Sequence, residues 1–249
     1  MHDFIDGDFF ESLFDFNFDS MESDDFLEQK PEFVFASTSS LLKIIDFINT
    51  YNPSFSFNLI THNADSTIYM ENSRLVYYEY GLKDDIEPVK IELPKQIKKF
   101  YSQNLNVKND SFFVSLPIGL ERERWSGGYK HELMKRLVEK KTAGKKHLVY
   151  CNYLEQNNPS KRSFDLKNLE CFYRQRCHFD VYASDIMNSF FVLCPVGNGL
   201  DTHRAWESLY LGSYPIVENN YFNQAVFSDL PVILSDDFCE ITNDLLESK

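Results

Sequence analysis

What this 249-residue chain lacks narrows it first. No window approaches 18 consecutive apolar residues, so no membrane-crossing helix is expected. The start, MHDFIDGDFF, carries no basic stretch ahead of an apolar one, so no secretory leader is read there. The expectation is a cytoplasmic protein of the producing or host cell. Cysteine is scarce: Cys151, Cys171, Cys177, Cys194 and Cys239 are odd in number and widely spaced, which suits reduced thiols better than a disulfide framework. Cys171, Cys177 and His178 have no second ligand pair after them, so no metal site is assigned there. Asp6, Gly7 and Asp8 have the form of a DxD metal motif. It precedes every expected strand, where such a motif should follow one, and it is discounted.

Positive charge is short as well, and the net charge is −13. The deficit is local. Residues 1–32 hold eleven acids against Lys30 alone, whereas the rest of the chain holds 27 acids and 24 bases. A near-neutral body without a basic face has nothing with which to grip a phosphate backbone, so nucleic acid is not an expected partner. Neither a GxxxxGK[ST] loop nor a GxGxxG fingerprint is present, which argues against a P-loop phosphotransferase and a dinucleotide-dependent dehydrogenase.

What is there is enough for a core. Hydrophobic residues make up 43% of the chain and aromatics 16%, which supports one large domain or two small ones without staples. Residues 1–30 alternate acids with Phe4, Phe9, Phe10, Phe14, Phe16, Phe18 and Phe26. Such a segment is either a disordered interaction arm or one that docks its aromatics. Docking is favoured, because seven exposed phenylalanines invite aggregation. Beyond it, strands are expected at 33–36, 57–60, 112–116, 146–152, 190–194, 215–217 and 232–234. Helices are expected at 41–50, 95–102, 132–142, around Leu166, Leu169 and Phe172, at 181–187, after Asp201 or Thr202, and at 236–246. Strands alternating with helices give the α/β class. A turn at Pro117, Ile118 and Gly119 suits a crossing between two lobes.

The organising stretch is residues 190–217, FFVLCPVGNGLDTHRAWESLYLGSYPIV. A buried strand runs into Gly197, Asn198 and Gly199, then into a helix, then into a second strand, which makes one βαβ unit. Ligands of parallel sheets bind at the carboxyl ends of the strands, and the helix start offers unpaired N–H groups to a phosphate. His203 and Arg204 sit in that first turn, where cations disfavour the helix by itself. They mark either an anion supplied from outside or a surface ion pair. A second βαβ unit, 33–60, carries His62, Asn63 and Asp65 at its carboxyl end, where they either do chemistry or merely turn the chain.

The run PVGNGLDTHRAWESLYLGSYPIV resembles the nucleotide-sugar-binding motif of exostosin-like glycosyltransferases, in the small viral, algal and bacterial branch with a PxGNGxDxHRxWExLxxGxxPIV pattern. LITHNADSTI, SLPIGLERERW and VYCNYLEQNNPSKR resemble the same family in the same order. The resemblance implies a GT-B fold: two Rossmann-like lobes facing a cleft, the N-terminal one reduced. The expected division is an arm at 1–30, an acceptor lobe at 31–117 and a donor lobe with a terminal helix at 118–249. It implies transfer of a sugar from a nucleoside-diphosphate sugar, expected to be a UDP-sugar, to a glycan or glycoprotein acceptor, inverting, with no cofactor or metal required. Gly197, Asn198, Gly199, Thr202, His203, Arg204 and Glu207 would bind the donor, Glu207 through the ribose hydroxyls unless it pairs with Arg204. Asn152, Asn158 and Arg162 match the family's second loop, with Arg162 a second phosphate contact or a surface charge. Asp65 is the expected base and His62 the second candidate, while Glu121 and Arg124 would line the cleft. The alternative is a catalytically degenerate relative that binds a nucleotide or a partner.

Overall fold

The structure, a computed structural model, describes residues 4–20, 23–81, 87–125, 128–139 and 144–249. The chain divides into two compact units. Met1–Ile118 with Asn198–Asp201 form the first, and Gly119–Gly197 with Thr202–Lys249 form the second. The expected boundary at 117/118 lies one residue earlier, and it did not assign 198–201 to the first unit.

In the first unit the chain runs α1 (Gly7–Glu11), β1 (Phe16–Asn17), α2 (Ser23–Gln29), β2 (Phe33–Ser37), α3 (Leu41–Tyr51) and β3 (Phe57–His62). It continues through β4 (Thr67–Glu71), β5 (Arg74–Tyr78), β6 (Val89–Ile91), β7 (Ile97–Gln103), β8 (Leu105–Asn106) and β9 (Phe113–Leu116). A parallel sheet has the order β1-β2-β3-β7-β9, and a smaller one the order β6-β5-β4-β8. In α3 the buried residues Leu41, Ile44, Phe47 and Ile48 form a single stripe. The helix stops at Asn52, which takes the left-handed conformation at φ 44 and donates its N–H to the Ile48 carbonyl.

The acidic arm is docked. Phe16 pairs with Val34 in parallel register, so the arm supplies the outer strand of the sheet. Phe26 is fully buried and meets the rings of Phe16, Phe47 and Phe57 edge to face at 5.2–5.4 Å. Apolar burial outweighs the local acidity, and the buried carboxylate that caps α1, Asp6, is met by the Phe9 N–H at 2.8 Å.

Three expected helices are corrected. Residues 97–103 are strand β7, since Ile97, Phe100 and Ser102 bury themselves between β3 and β9 and sheet position overrides helical spacing. No helix spans Leu166 to Phe172, where β11 (Cys171–Tyr173) pairs with its neighbour instead. The terminal helix is shorter than expected, because Asp237 and Thr242 each cap a separate turn with their side chains. The β4–β5 hairpin was also not foreseen. Its tip, Asn72 and Ser73, has both residues at positive φ, the geometry that matches the twist of paired strands.

The second unit contains α4 (Tyr129–Val138), β10 (His147–Cys151), α5 (Pro159–Arg162), β11, α6 (Phe179–Met187) and β12 (Ser189–Leu193). It ends with α7 (His203–Tyr210), β13 (Tyr214–Glu218), α8 (Tyr221–Val226), β14 (Ile233–Ser235) and α9 (Asn243–Glu247). Its sheet is parallel throughout, in the order β11-β10-β12-β13-β14. Numbered by appearance, that order is 2-1-3-4-5, a doubly wound α/β sheet whose direction of winding reverses between β10 and β12. The first unit's sheet is wound in one direction and has no such reversal. Both parallel sheets are flanked by helices, so the chain is α/β. Among the described residues no helix is long and apolar enough to cross a membrane.

Candidate functional site

A reversal of winding leaves a crevice at the carboxyl ends of the two strands that flank it, because their connections depart to opposite sides. Here those strands are β10 and β12. Strand β12 is buried from Phe191 to Leu193 and runs into Cys194, Pro195 and Val196, all buried. Strand β10 runs into Asn152 and Tyr153, and then into α5, which Pro159 starts and Arg162 ends. The two loops are braced against each other. Arg162 Nε donates to the Val196 carbonyl at 2.7 Å and its Nη1 to Leu154 at 3.2 Å, while Asn158 Nδ2 donates to Gly197 at 2.9 Å.

Arg162 is 7% exposed, and burial, followed by the proximity of Arg204, pulls its pKa down to about 10. Two guanidiniums are therefore held within electrostatic reach of each other. Arg204 lies in the first turn of α7, which has no acidic residue there and no side-chain cap from Thr202. Its Nε is buried with no hydrogen-bond partner. Among the described residues neither arginine pairs with a carboxylate. An unsatisfied buried donor costs about 1–3 kcal/mol. A guanidinium in the first turn of a helix, with a second within electrostatic reach, is what an oxyanion with several acceptor oxygens would complete.

Glu207 is one helical turn further on. It is 6% exposed and accepts from the Tyr182 hydroxyl at 2.6 Å. No ion pair joins it to Arg204, so that alternative is not realised. Burial and the Glu207 charge push the Tyr182 phenol well up, which keeps it a donor. Burial likewise raises Tyr153, to about 12. Trp206 is core, stacked on Phe227 at 4.9 Å. The thiols at the strand ends, Cys151, Cys171 and Cys194, are not in disulfides. Cys151 is pushed up chiefly by its hydrogen bond with Cys171 and then by burial, so it stays a thiol.

The other expected donor residues of this unit are engaged locally. His203 Nδ1 bonds the Gly119 carbonyl at 2.9 Å. Asn152 donates to the Tyr150 hydroxyl and the Arg174 carbonyl at 2.8 and 2.6 Å, which makes it a brace between strand ends. Glu121 forms an ion pair with Lys130, and Arg124 is exposed on a short turn.

The first unit holds the rest. Asp65 is exposed and accepts from Asn198 Nδ2 at 3.1 Å. His62 is corrected: it is 1% exposed, with Nδ1 on Asn63 at 2.9 Å, Nε2 on the Pro117 carbonyl at 2.9 Å and Phe10 against its ring at 4.7 Å. No ring nitrogen is left to receive a proton from a hydroxyl. The middle of the glycine loop is also less open than expected. Gly199, Leu200 and Asp201 are buried, and the Asp201 N–H donates to Asn104 Oδ1 at 3.0 Å.

Sequence reasoning missed Tyr182, Asp201 and Asn104. Tyr182 lies in the helix expected at 181–187, where no role was assigned to it. Asp201 was considered only as a helix cap, whereas its carboxylate accepts from Ile118 N at 2.7 Å. No family model matches the chain, and no curated protein matches it.

Proposed function

We propose that the chain is a GT-B-like glycosyltransferase that moves a sugar from a nucleoside-diphosphate sugar, a UDP-sugar by expectation, to a hydroxyl of a glycan acceptor. One observation carries the reading: the buried, unpartnered Nε of Arg204 beside buried Arg162, where the winding of the second sheet reverses. Departure of a diphosphate builds negative charge on its oxygens, and fixed cations with a helix dipole stabilise that charge without reorganising. Arg204, Arg162 and the start of α7 would do this work, which leaves no step that requires a divalent ion. Glu207, oriented by Tyr182, would take the ribose hydroxyls. With His62 spent on structure, Asp65 is the remaining candidate to accept the proton of the attacking hydroxyl as inversion proceeds.

A second reading, a nucleotide-binding protein without turnover, is favoured by the engagement of both ring nitrogens of His62. One experiment separates the two. The wild type and Arg204→Ala are titrated with UDP, UDP-sugars and pyrophosphate by thermal shift and calorimetry, and nucleotide release is followed over a panel of glycan acceptors. Binding that Arg204→Ala removes, with acceptor-dependent release, supports transfer. Binding without release over the whole panel supports the second reading. Absence of binding to the wild type sinks both.

A further inference from the structure

Asn104 has no assigned role, yet its surroundings are unusual. It lies between β7 and β8, which belong to different sheets, and turns the chain from one to the other. To do so it adopts the left-handed conformation at φ 54, which asparagine tolerates better than most residues. It is fully buried. A residue needed only for that bend would do as well as glycine, with no side chain to satisfy.

The side chain, however, is fully used. Oδ1 accepts from the Asp201 N–H at 3.0 Å, and Nδ2 points to the Ala64 carbonyl at 3.4 Å. Gly199 packs on the same amide so tightly that a Cβ there would lie 2.4 Å from Nδ2. Asp65 follows Ala64 in the chain, and Asn198 precedes Gly199. Those two outer residues are the ones that meet, Asn198 Nδ2 to Asp65 Oδ2 at 3.1 Å. Gly81, at φ 85, closes the arrangement from another side, since a Cβ on it would lie 2.3 Å from the Asn198 carbonyl oxygen. Segment 198–201 is therefore set by buried contacts to Asn104 and Gly81.

We infer that Asn104 is a positioning residue, whose carboxamide fixes the 198–201 loop so that the Asn198 amide stays on the Asp65 carboxylate. The inference rests on the transferase reading, in which Asp65 receives the acceptor proton. It concerns geometry at the base, because the Asn104 carboxamide bonds the Asp201 N–H and the Ala64 carbonyl, next to Asp65.

The test uses the full chain and three variants. Asn104→Gly keeps the left-handed bend and removes the carboxamide. Asn104→Asp keeps an oxygen for the Asp201 N–H, and Asn198→Ala removes the amide on Asp65. Hydrogen exchange of peptides covering 198–204 reads loop order without reference to activity, and steady-state kinetics read the base. For Asn104→Gly the expectation is faster exchange in that segment and a fall in kcat of roughly 10- to 100-fold with an unchanged donor KM. Asn104→Asp should restore most of both. Adding Asn198→Ala to Asn104→Gly should cost little more than either change alone, since both act through one contact. Unchanged exchange in Asn104→Gly overturns the inference. So does faster exchange with undiminished kcat, or a loss that falls on donor KM. A wild type that transfers nothing overturns the transferase reading and this inference together, whereas an active wild type with an equally active Asn104→Gly overturns this inference alone.

Discussion

Each unit has a parallel strand that turns into a helix, and at each of those corners one buried side-chain atom has no hydrogen-bond partner. In the first unit it is the Thr38 hydroxyl, between β2 and α3; in the second it is Arg204 Nε, at the start of α7. The likeness ends with the chemistry. Thr38 is neutral and fully buried, its carbonyl accepts from the Tyr77 hydroxyl at 3.0 Å, and its sheet is wound in one direction. Arg204 is charged, sits near the buried guanidinium of Arg162 and follows the strand pair where winding reverses. An idle hydroxyl is a tolerated packing defect. An unpartnered guanidinium nitrogen at the strand pair where winding reverses carries the charge to meet an anion, so an unsatisfied atom points to a ligand only where topology leaves room for one.

The largest expected effect concerns the stability of the first unit. Phe26→Ala should lower unfolding stability by about 3–5 kcal/mol, because the ring is fully buried among Phe16, Phe47 and Phe57. Chemical denaturation reads it, and a loss below about 1 kcal/mol would mean the arm only leans on the sheet. Next, Arg204→Ala should weaken diphosphate binding by about 100-fold, close to 2.7 kcal/mol, and leave unliganded stability equal or higher. No native bond to its Nε is lost and a like-charge neighbour is removed. Pyrophosphate should raise the Tm of the wild type, less so at high salt, and leave that of the variant unmoved. An Arg204→Ala protein that still responds would erase the distinction between the two corners.

Tyr182→Phe comes third. It strips a donor from buried Glu207 and should cost about 1–3 kcal/mol in stability, together with weaker binding of UDP relative to pyrophosphate. Equal losses for both ligands would remove the ribose role of Glu207. The smallest effect is at the other corner. Thr38→Val should be neutral or stabilise by about 1 kcal/mol and leave ligand response intact, since it replaces an unpartnered hydroxyl with a methyl group.

Arg204 and Glu207 could be singled out from their spacing within one stretch, and the strand–loop–helix frame around them likewise. The doubly wound order could not, because β11 hides in a stretch whose leucines suggested a helix and reveals itself only by pairing with β10. Strand β7 was lost for the same reason: its interior place between β3 and β9 decides its conformation, and neither neighbour is adjacent in sequence. At the site, the burial of Arg162 and its neighbour Arg204 are contacts across 42 residues of chain, beyond the reach of any local pattern. His62 illustrates the opposite error. A histidine at a strand's carboxyl end has the right address for chemistry, but its role was decided by Pro117 and Phe10, far away in the chain.

The division of the chain also dictates an order of assembly. The first unit is complete only with Asn198–Asp201, which satisfy Asn104 and the Ile118 amide. On the ribosome, the bonds to Asn104 and the Ile118 amide cannot form until β10, β11 and β12 have been synthesised, although every strand of this unit precedes residue 118. A gene split after residue 118 would yield a first fragment that lacks a piece of its own interior, recoverable only from the second.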